Sequence, residues 1–303
     1  MKQSIKFLLS AFAAMFVGVT AFAQLTTSSL NGLVADASGE PVIGAAVIAT
    51  HTESGTSYAT VTNNEGRYYI NGMRAGGPYK VEVSCLGYRT VAFTDVTLQL
   101  AESLSLNAKL EDDAQMLSEA IVISDATSKF AAEKTGAATN ISNRQIADLP
   151  TVSRSITDVT RLSPYGGNGM SFAGADGRTA NFTVDGANFN NNFGLNDGLP
   201  GGGSPISIDA IEEMQVVISP YDVRQTNFIG GGVNAITKSG TNTFKGSAYI
   251  YHRNENMRGD TVEGETVSGA RDKDRNTTYG FTLGGPIIKN KLFFFANFEY
   301  SKV

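Results

Sequence analysis

PISIDAIEEMQVVISPYDVRQTNFIGGGVNAITKSGTNTFK, residues 205–245, decides how the chain is read. Its centre alternates, with Met214, Val216 and Ile218 on one face and Gln215, Val217 and Ser219 on the other. That period of two predicts a half-buried strand. Pro220 has no N–H to give to a ladder and should end it. Gly230, Gly231 and Gly232 follow, where a tight bend that side chains would forbid is expected. Val233 to Thr237 reads as a second short strand, and Ser239-Gly240-Thr241-Asn242 as a turn.

PYDVRQTNFIGGGVNAITKSGTNTFKGSAY closely resembles the end of the plug and the first barrel strand of TonB-dependent outer-membrane receptors, in particular the Oar-like branch. The resemblance continues in both directions through TVSRSITDVTRLSP, SFAGADGRTANFTVDGANFNNNFGL and GGPIIKNKLFFFANFEY. It implies a mainly β chain: an N-terminal β-sandwich, an α+β plug, and the first strands of an incomplete antiparallel transmembrane β-barrel.

Downstream of Lys245 the residues read as membrane strands. Lys245–Arg253 (KGSAYIYHR), Asn276–Leu283 (NTTYGFTL) and Leu292–Tyr300 (LFFFANFEY) are three β patterns. In the second, Tyr279, Phe281 and Leu283 share one face and Thr278, Gly280 and Thr282 the other, the apolar-out, polar-in dyad of outer-membrane strands. The charged Asn254–Arg275 segment separates the first two, and the compact GGPIIKNK the last two. Long loops face outward, so the first strand should run upward. Arg258-Gly259-Asp260, in the long loop, reads as coincidence. Three strands cannot close, and barrels of this kind need about 22. Val303 is therefore expected to end a fragment.

Upstream, residues 131–243 are expected to form the plug. Asn143–Leu149 reads as a short helix stopped by Pro150. Val152–Leu162 reads as a helix with Ile156, Val159 and Leu162 on one face. Asp185-Gly186 is a hairpin turn signal. The Asn-rich Asn188–Gly203 region is turn chemistry on its own terms. By analogy with the fold it carries the ligand-facing loops, through Asn188, Asn190, Asn191, Asn192, Asn196 and Asp197.

Composition sets limits. Lys and Arg total 24 against 29 Asp and Glu, a net charge of −5, so nothing points to nucleic acid as a partner. Cys85 cannot form an internal disulfide and reads as a small hydrophobe in a strand. Lys2 and Lys6, the apolar run Phe7–Val19 and Ala21-Phe22-Ala23 make residues 1–23 a secretory signal, cut between Ala23 and Gln24. No uncharged apolar run of membrane-helix length follows it.

Residues 24–110 carry closely spaced strand patterns: Leu30–Ala35, Val42–Thr50, Ser57–Thr62, Arg67–Ile70, Tyr79–Cys85, Thr90–Leu100 and Ser103–Leu110. Turns at Asp36–Gly39, Asn63–Gly66 and Arg74–Gly77 separate them, which predicts a sandwich. NGLVADASGEPVIGAAV, TNNEGRYYI and LGYRTV resemble the carboxypeptidase regulatory-like domain, which is non-catalytic where it occurs. His51 stands without a zinc-ligand set and reads as a surface residue.

Residues 111–130 read as a linker. Its β-branched run, Glu119-Ala120-Ile121-Val122-Ile123, is the last strand of the sandwich, the first strand of the plug, or the TonB box that the resemblance implies at this position. Strand addition needs few specific side chains.

No phosphate-binding loop, dinucleotide fingerprint or catalytic triad occurs; the histidines are His51 and His252. No cofactor, metal site or enzymatic activity is expected. Two function classes remain. One is an importer in the outer membrane that binds an extracellular ligand and is energised by TonB and its inner-membrane complex, with the N-terminal domain and linker in the periplasm. The other is a non-transporting surface receptor, adhesin or secretion partner on the same scaffold. Outer-membrane lipid surrounds the barrel in both.

Overall fold

A computed structural model describes residues 26–112, 121–124 (backbone), 137–151, 154–190, 199, 204–220, 225, 228–257, 259, 261–266 (262 and 265 as backbone) and 274–302, and every structural statement here is made of these residues. The signal-peptide reading, with Ala23 and Gln24, lies outside them. So do Arg258 and Asp260 of the Arg-Gly-Asp triplet.

Two sheets built from residues 27–124 pack face to face. The first contains β1 (Thr27–Ala35), antiparallel to β4 (Arg67–Arg74) and parallel to β7 (Ser103–Ser105) and β8 (Ala108–Lys109). The second runs in the order β3 (Ser57–Val61), β2 (Ala46–His51), β5 (Gly76–Ser84), β6 (Val91–Leu98), β9 (Ile121–Ser124). Inward alternation supplies the core: Leu30 and Val34 from β1, Tyr68 and Met73 from β4, Tyr79, Val81 and Val83 from β5, Val91 and Phe93 from β6. Tyr68 and Tyr79 are too large and polar to be buried on apolar contact alone. Their hydroxyls donate to the Leu106 and Arg74 carbonyls at 2.6 and 2.8 Å, and burial raises both phenol pKa values.

Three readings of this region are corrected. Arg74–Gly77 is not a free turn. Arg74 closes β4 in one sheet and Gly76 opens β5 in the other, so only Ala75 lies between, where the chain crosses the core. Cys85 lies one residue past β5, partly buried against the core. His51 is buried at the end of β2; its Nδ1 lies 2.8 Å from Ser54 Oγ, and its ring meets Tyr79 edge-on at 5.0 Å.

The second unit is a sheet in the order β10 (Ala137–Ser142), β13 (Ile211–Ser219), β14 (Gly232–Thr237), β11 (Asn181–Val184), β12 (Ala187–Asn188). Two short helices pack on it. Helix α1 (Asn143–Asp148) starts at Ser142 through a capping box with Gln145 and ends before Pro150. Helix α2 (Ile156–Thr160) is shorter than Val152–Leu162. Ser155 and Asp158 form a capping box that fixes its start, and Leu162 lies beyond its end, 41% exposed. Asp185 and Gly186 both have positive φ, 47° and 84°, and join β11 to β12 as a tight hairpin.

The β13 strand ends at Ser219, before Pro220, but is not half-buried. Gln215 and Val217 are as covered as Met214 and Val216, because a second unit lies on the outer face. The triple glycine also differs from expectation. None of the three has positive φ. A Cβ on Gly231 would come within 2.7 Å of the Phe172 ring, so close approach is what demands glycine there.

The third unit is the antiparallel sheet β15 (Lys245–Arg253), β18 (Asn276–Ile288), β19 (Leu292–Lys302). The long connection after β15 contains a small hairpin, β16 (Thr261–Val262) with β17 (Glu265–Thr266). GGPII belongs to β18 rather than to the turn, which is only Lys289-Asn290-Lys291. The sheet is not closed.

Candidate functional site

Three places in this arrangement can do something: the segment 121–124, the seat of the plug against the barrel strands, and the junction where the sandwich meets both.

The first is a strand. Ile121, Val122 and Ile123 lie in β9, parallel to β6 in the register Val91↔Ile121, Ala92↔Val122, Phe93↔Ile123, Thr94↔Ser124. Of the two structural alternatives for this run, the structure takes the first: β9 is the last strand of the sandwich sheet. β-branched residues favour that extended backbone. Next along β6, Asp95 has φ 58° and sits in a bulge opposite Tyr79–Val81. Glu119 and Ala120 lie outside the described residues.

The second place is the inner face of the barrel strands. Tyr249 on β15 lies opposite Gly280 on β18. Its hydroxyl donates to Glu299 Oε2 on β19 at 2.7 Å and lies 3.0 Å from Ser207 Oγ of the plug, which also donates to Glu299 at 3.0 Å. A Cβ on Gly280 would meet that hydroxyl at 2.6 Å, so the glycine makes room for the ring. From the plug, Arg154 pairs with Asp209 and spreads its guanidinium over Tyr251 at 4.0 Å and Tyr249 at 5.1 Å. Sequence reasoning missed this cluster. Its members are 145 residues apart at the extremes, Arg154 to Glu299, and no local pattern joins them.

The outer face of the same strands is apolar. Tyr279, Phe281 and Leu283 are 45%, 47% and 44% exposed, and Phe281 stacks on Phe298 across the strands at 5.9 Å. The expected dyad is present.

The third place is the junction. Gln215 Nε2 of β13 donates to the Leu100 carbonyl of the sandwich at 2.8 Å, in a buried position. Ala75, Leu100 and Ile236 form a small apolar cluster beside it. Lys245, the first residue of β15, pairs with Glu53 at 2.6 Å, and Asn242 N–H donates to the Glu53 carbonyl at 2.9 Å. A cleft of about 370 Å³ opens there, lined by His51, Glu53, Arg74, Glu212, Lys238 and Lys245 among others. Burial, and then the Arg74 charge, lower the His51 pKa.

Of the residues expected to face ligand, Asn188 closes β12 and is exposed, and Asn190 follows it half-buried. Asn191, Asn192, Asn196 and Asp197 lie outside the described residues. Among the described residues there is no cluster of three or more metal-ligating side chains, and no helix is long and apolar enough to cross a membrane.

Comparison with known proteins agrees with this layout. Residues 29–111 match the carboxypeptidase regulatory-like domain family, and residues 236–303 match the outer membrane beta barrel domain family. Over 306 aligned residues, 95% of this chain, it is 28% identical to the TonB-dependent transporter Oar of Myxococcus xanthus. The chain is an Oar-like homologue of the TonB-dependent receptors. This Oar-like chain covers 28% of that relative's length. It is also 33% identical over 118 residues to the TonB-dependent receptor SusC of Bacteroides thetaiotaomicron, covering 39% of this chain and 10% of SusC. Among solved structures, the siderophore receptor PirA of Acinetobacter baumannii is 22% identical over 55% of this chain and 24% of its own, with a TM-score of 0.41, a distant likeness. The Oar-like chain belongs to the outer membrane, and both curated relatives carry transporter or receptor names rather than enzyme names.

Proposed function

We propose that the Oar-like chain is the periplasm-facing and plug part of an energised importer. An extracellular ligand binds on the outer side, TonB engages residues 119–123 from the periplasm, and a pull on that segment shifts the plug within the barrel. The observation that carries this reading is the chemistry of the plug's seat. Ser207, Asp209 and Arg154 meet Tyr249, Tyr251 and Glu299 through hydrogen bonds, an ion pair and cation–π contacts. Such contacts can be exchanged for water as the plug moves, whereas a dry apolar seat would resist it. The position of β9, between sandwich and plug in sequence, adds a handle for the pull. Asn188 and Asn190, with the neighbouring Asn191, Asn192, Asn196 and Asp197, are proposed to face the ligand. The domain limits are proposed as 24–110, 111–130, 131–243 and 244–303, with a signal peptide before them, and the sandwich and linker in the periplasm.

Strand addition draws its affinity from main-chain hydrogen bonds, so Val122→Pro should abolish capture of TonB's periplasmic domain, while Val122→Ala retains most of it. Equal capture by Val122→Pro and parent would remove residues 119–123 from the role. The non-transporting alternative is separated in cells. If deletion of the gene has a phenotype and Val122→Pro reproduces it, the function is energised. If Val122→Pro restores the parent phenotype, the scaffold works as a surface receptor or adhesin without TonB.

A further inference from the structure

We propose that the regulatory-like sandwich is a brake on the plug. Docked, it clamps the plug to the end of the barrel sheet that carries Lys245 and Asn290, and it yields at that rim first, so that it leaves with the plug when the plug shifts. This rests on the reading of the chain as an importer whose plug moves.

The sandwich holds plug and barrel strands at once, by two grips of unlike chemistry. Its grip on the plug is buried. Gln215 is 2% exposed, and its Nε2 donates to the Leu100 carbonyl at 2.8 Å. Ile236 clusters with Ala75 and Leu100 rather than with the plug's own core, which takes its neighbour Ala235. Beside them Asn140 Nδ2 donates to Gln99 Oε1 at 3.3 Å. The grip on the barrel strands is a single turn, Thr52–Thr56 between β2 and β3, laid on their rim. The Glu53 carbonyl accepts the Asn242 N–H at 2.9 Å, and the Glu53 carboxylate pairs with Lys245 at 2.6 Å. Gly55 comes so close that a Cβ there would lie 2.5 Å from Asn290 Oδ1. Asn242 and Asn290 are themselves joined by two hydrogen bonds, of 2.7 and 2.8 Å, which tie the plug's exit to the turn between β18 and β19. The Thr52–Thr56 turn thus sits on the clasp between plug and barrel, while Leu100 sits on β13. The plug cannot shift against the barrel strands unless one grip opens, and chemistry decides which. The side chains of Lys245 and Glu53 are 61% and 36% exposed. Such a pair exchanges readily for water and is screened by salt. Opening the other grip wets Ile236, Ala75 and Leu100 and breaks a buried hydrogen bond, the costlier change. The rim therefore lets go first.

The test needs neither TonB nor a ligand. The full-length receptor is placed in a planar lipid bilayer, urea is added to loosen the plug, and the rate at which ionic current appears is recorded. Two tethers are compared in a Cys85→Ala background, each closed with a short bis-maleimide cross-linker and measured against its unlinked form: Glu53→Cys/Lys245→Cys at the rim, and Gln99→Cys/Asn140→Cys at the plug. The rim tether should slow opening about tenfold or more, because a linked grip re-forms within one molecule. The plug tether should leave the rate as it was, since that grip stays closed while the plug moves. Without any tether, Glu53→Lys should speed opening about threefold, and the charge swap Glu53→Lys/Lys245→Glu should restore the parent rate. A plug tether that slows opening as much as the rim tether would show that the sandwich does not travel with the plug and would overturn the proposal, as would a rim tether without effect. If the parent receptor never passes current, the plug does not leave its seat and the importer reading fails, a result distinct from a brake that fails while the parent opens.

Discussion

The strands β5 and β18 carry the same pattern and use it in opposite ways. In β5, Tyr79, Val81 and Val83 alternate with Lys80 and Glu82, and all three apolar residues are fully buried. In β18, Tyr279, Phe281 and Leu283 alternate with Thr278, Gly280 and Thr282, and the apolar three are nearly half exposed. Alternation tells which residues share a face. It does not tell what that face meets. In β5 the apolar side meets a second sheet and the polar side meets water, where Lys80 and Glu82 pair at 2.8 Å. In β18 the apolar side is left nearly half exposed, with no second sheet on it among the described residues, and the polar side meets Ser247, Tyr249 and the plug. What separates the two is the neighbouring strand. Tyr300 and Phe298 stand opposite Tyr279 and Phe281, an aromatic ladder on the outside of the sheet.

The comparison is broken most severely at Tyr79. Tyr79→Ala removes a fully buried ring and strands the Arg74 carbonyl, at a cost of about 3–5 kcal/mol, and the sandwich should fail to melt cooperatively. The matching change, Tyr279→Ala, leaves no cavity and loses one cross-strand aromatic contact, about 0.5–1.5 kcal/mol. Thermal melting followed by near-ultraviolet circular dichroism compares them; equal losses would mean that β18 packs against protein. Next in size is a charge on the lipid face. Phe281→Lys should cost about 2–4 kcal/mol in the receptor folded into lipid vesicles, if the residue lies near the bilayer midplane. Lysine in place of Thr282, which lies on the opposite face beside Ser247, should cost much less. Urea midpoints in vesicles test this pair, and a smaller loss at Phe281 than at Thr282 would reverse the assignment of faces.

Most of the architecture was legible because β-strands announce themselves through alternation and turn chemistry. Pro220 ends β13, Asp185-Gly186 makes the hairpin, and Lys245–Arg253 is β15 residue for residue. The failures share a physical origin. The reading of β13 as half-buried took Gln215 to mean an exposed face. In the structure that face is covered by the sandwich, and glutamine is tolerated there because Nε2 donates to the Leu100 carbonyl. The seat of Arg154 on Tyr249 and Tyr251, and of Ser207 on Glu299, joins residues far apart in sequence, and no single element carries its signature. His51 looked like a surface residue for the same reason: its burial comes from Tyr79 and Ser54. Gln215 therefore offers a test of intermediate size. Gln215→Ala leaves the buried Leu100 carbonyl without that donor, at a cost of about 1–3 kcal/mol. The effect should fall on the docking of sandwich to plug and not on either core. Limited proteolysis should cut faster between residues 112 and 137, while the melting of the sandwich is unchanged; a lowered sandwich melting temperature would contradict the placement of this bond between units.

The smallest effect belongs to His51, and its sign follows from its surroundings. Burial disfavours the charged imidazole, Arg74 and Lys245 disfavour it further, and Glu53 partly opposes them. The folded-state pKa thus lies below the ordinary value of 6.5. As the pH falls past that value, the unfolded chain takes up a proton that the folded chain resists, so stability present above it is progressively lost. Between about pH 7.5 and pH 5.5, the range in which an ordinary histidine titrates, the parent should lose stability that a His51→Asn variant keeps. Asparagine can still accept the Ser54 N–H that Nδ1 accepts at 3.2 Å, so the variant tests the proton rather than the turn. Both proteins share every other titrating group, and the difference between their melting curves isolates this one. A parent curve that falls in parallel with the variant would show that His51 carries its proton in the folded state, and that Glu53 outweighs burial and the two cations beside it.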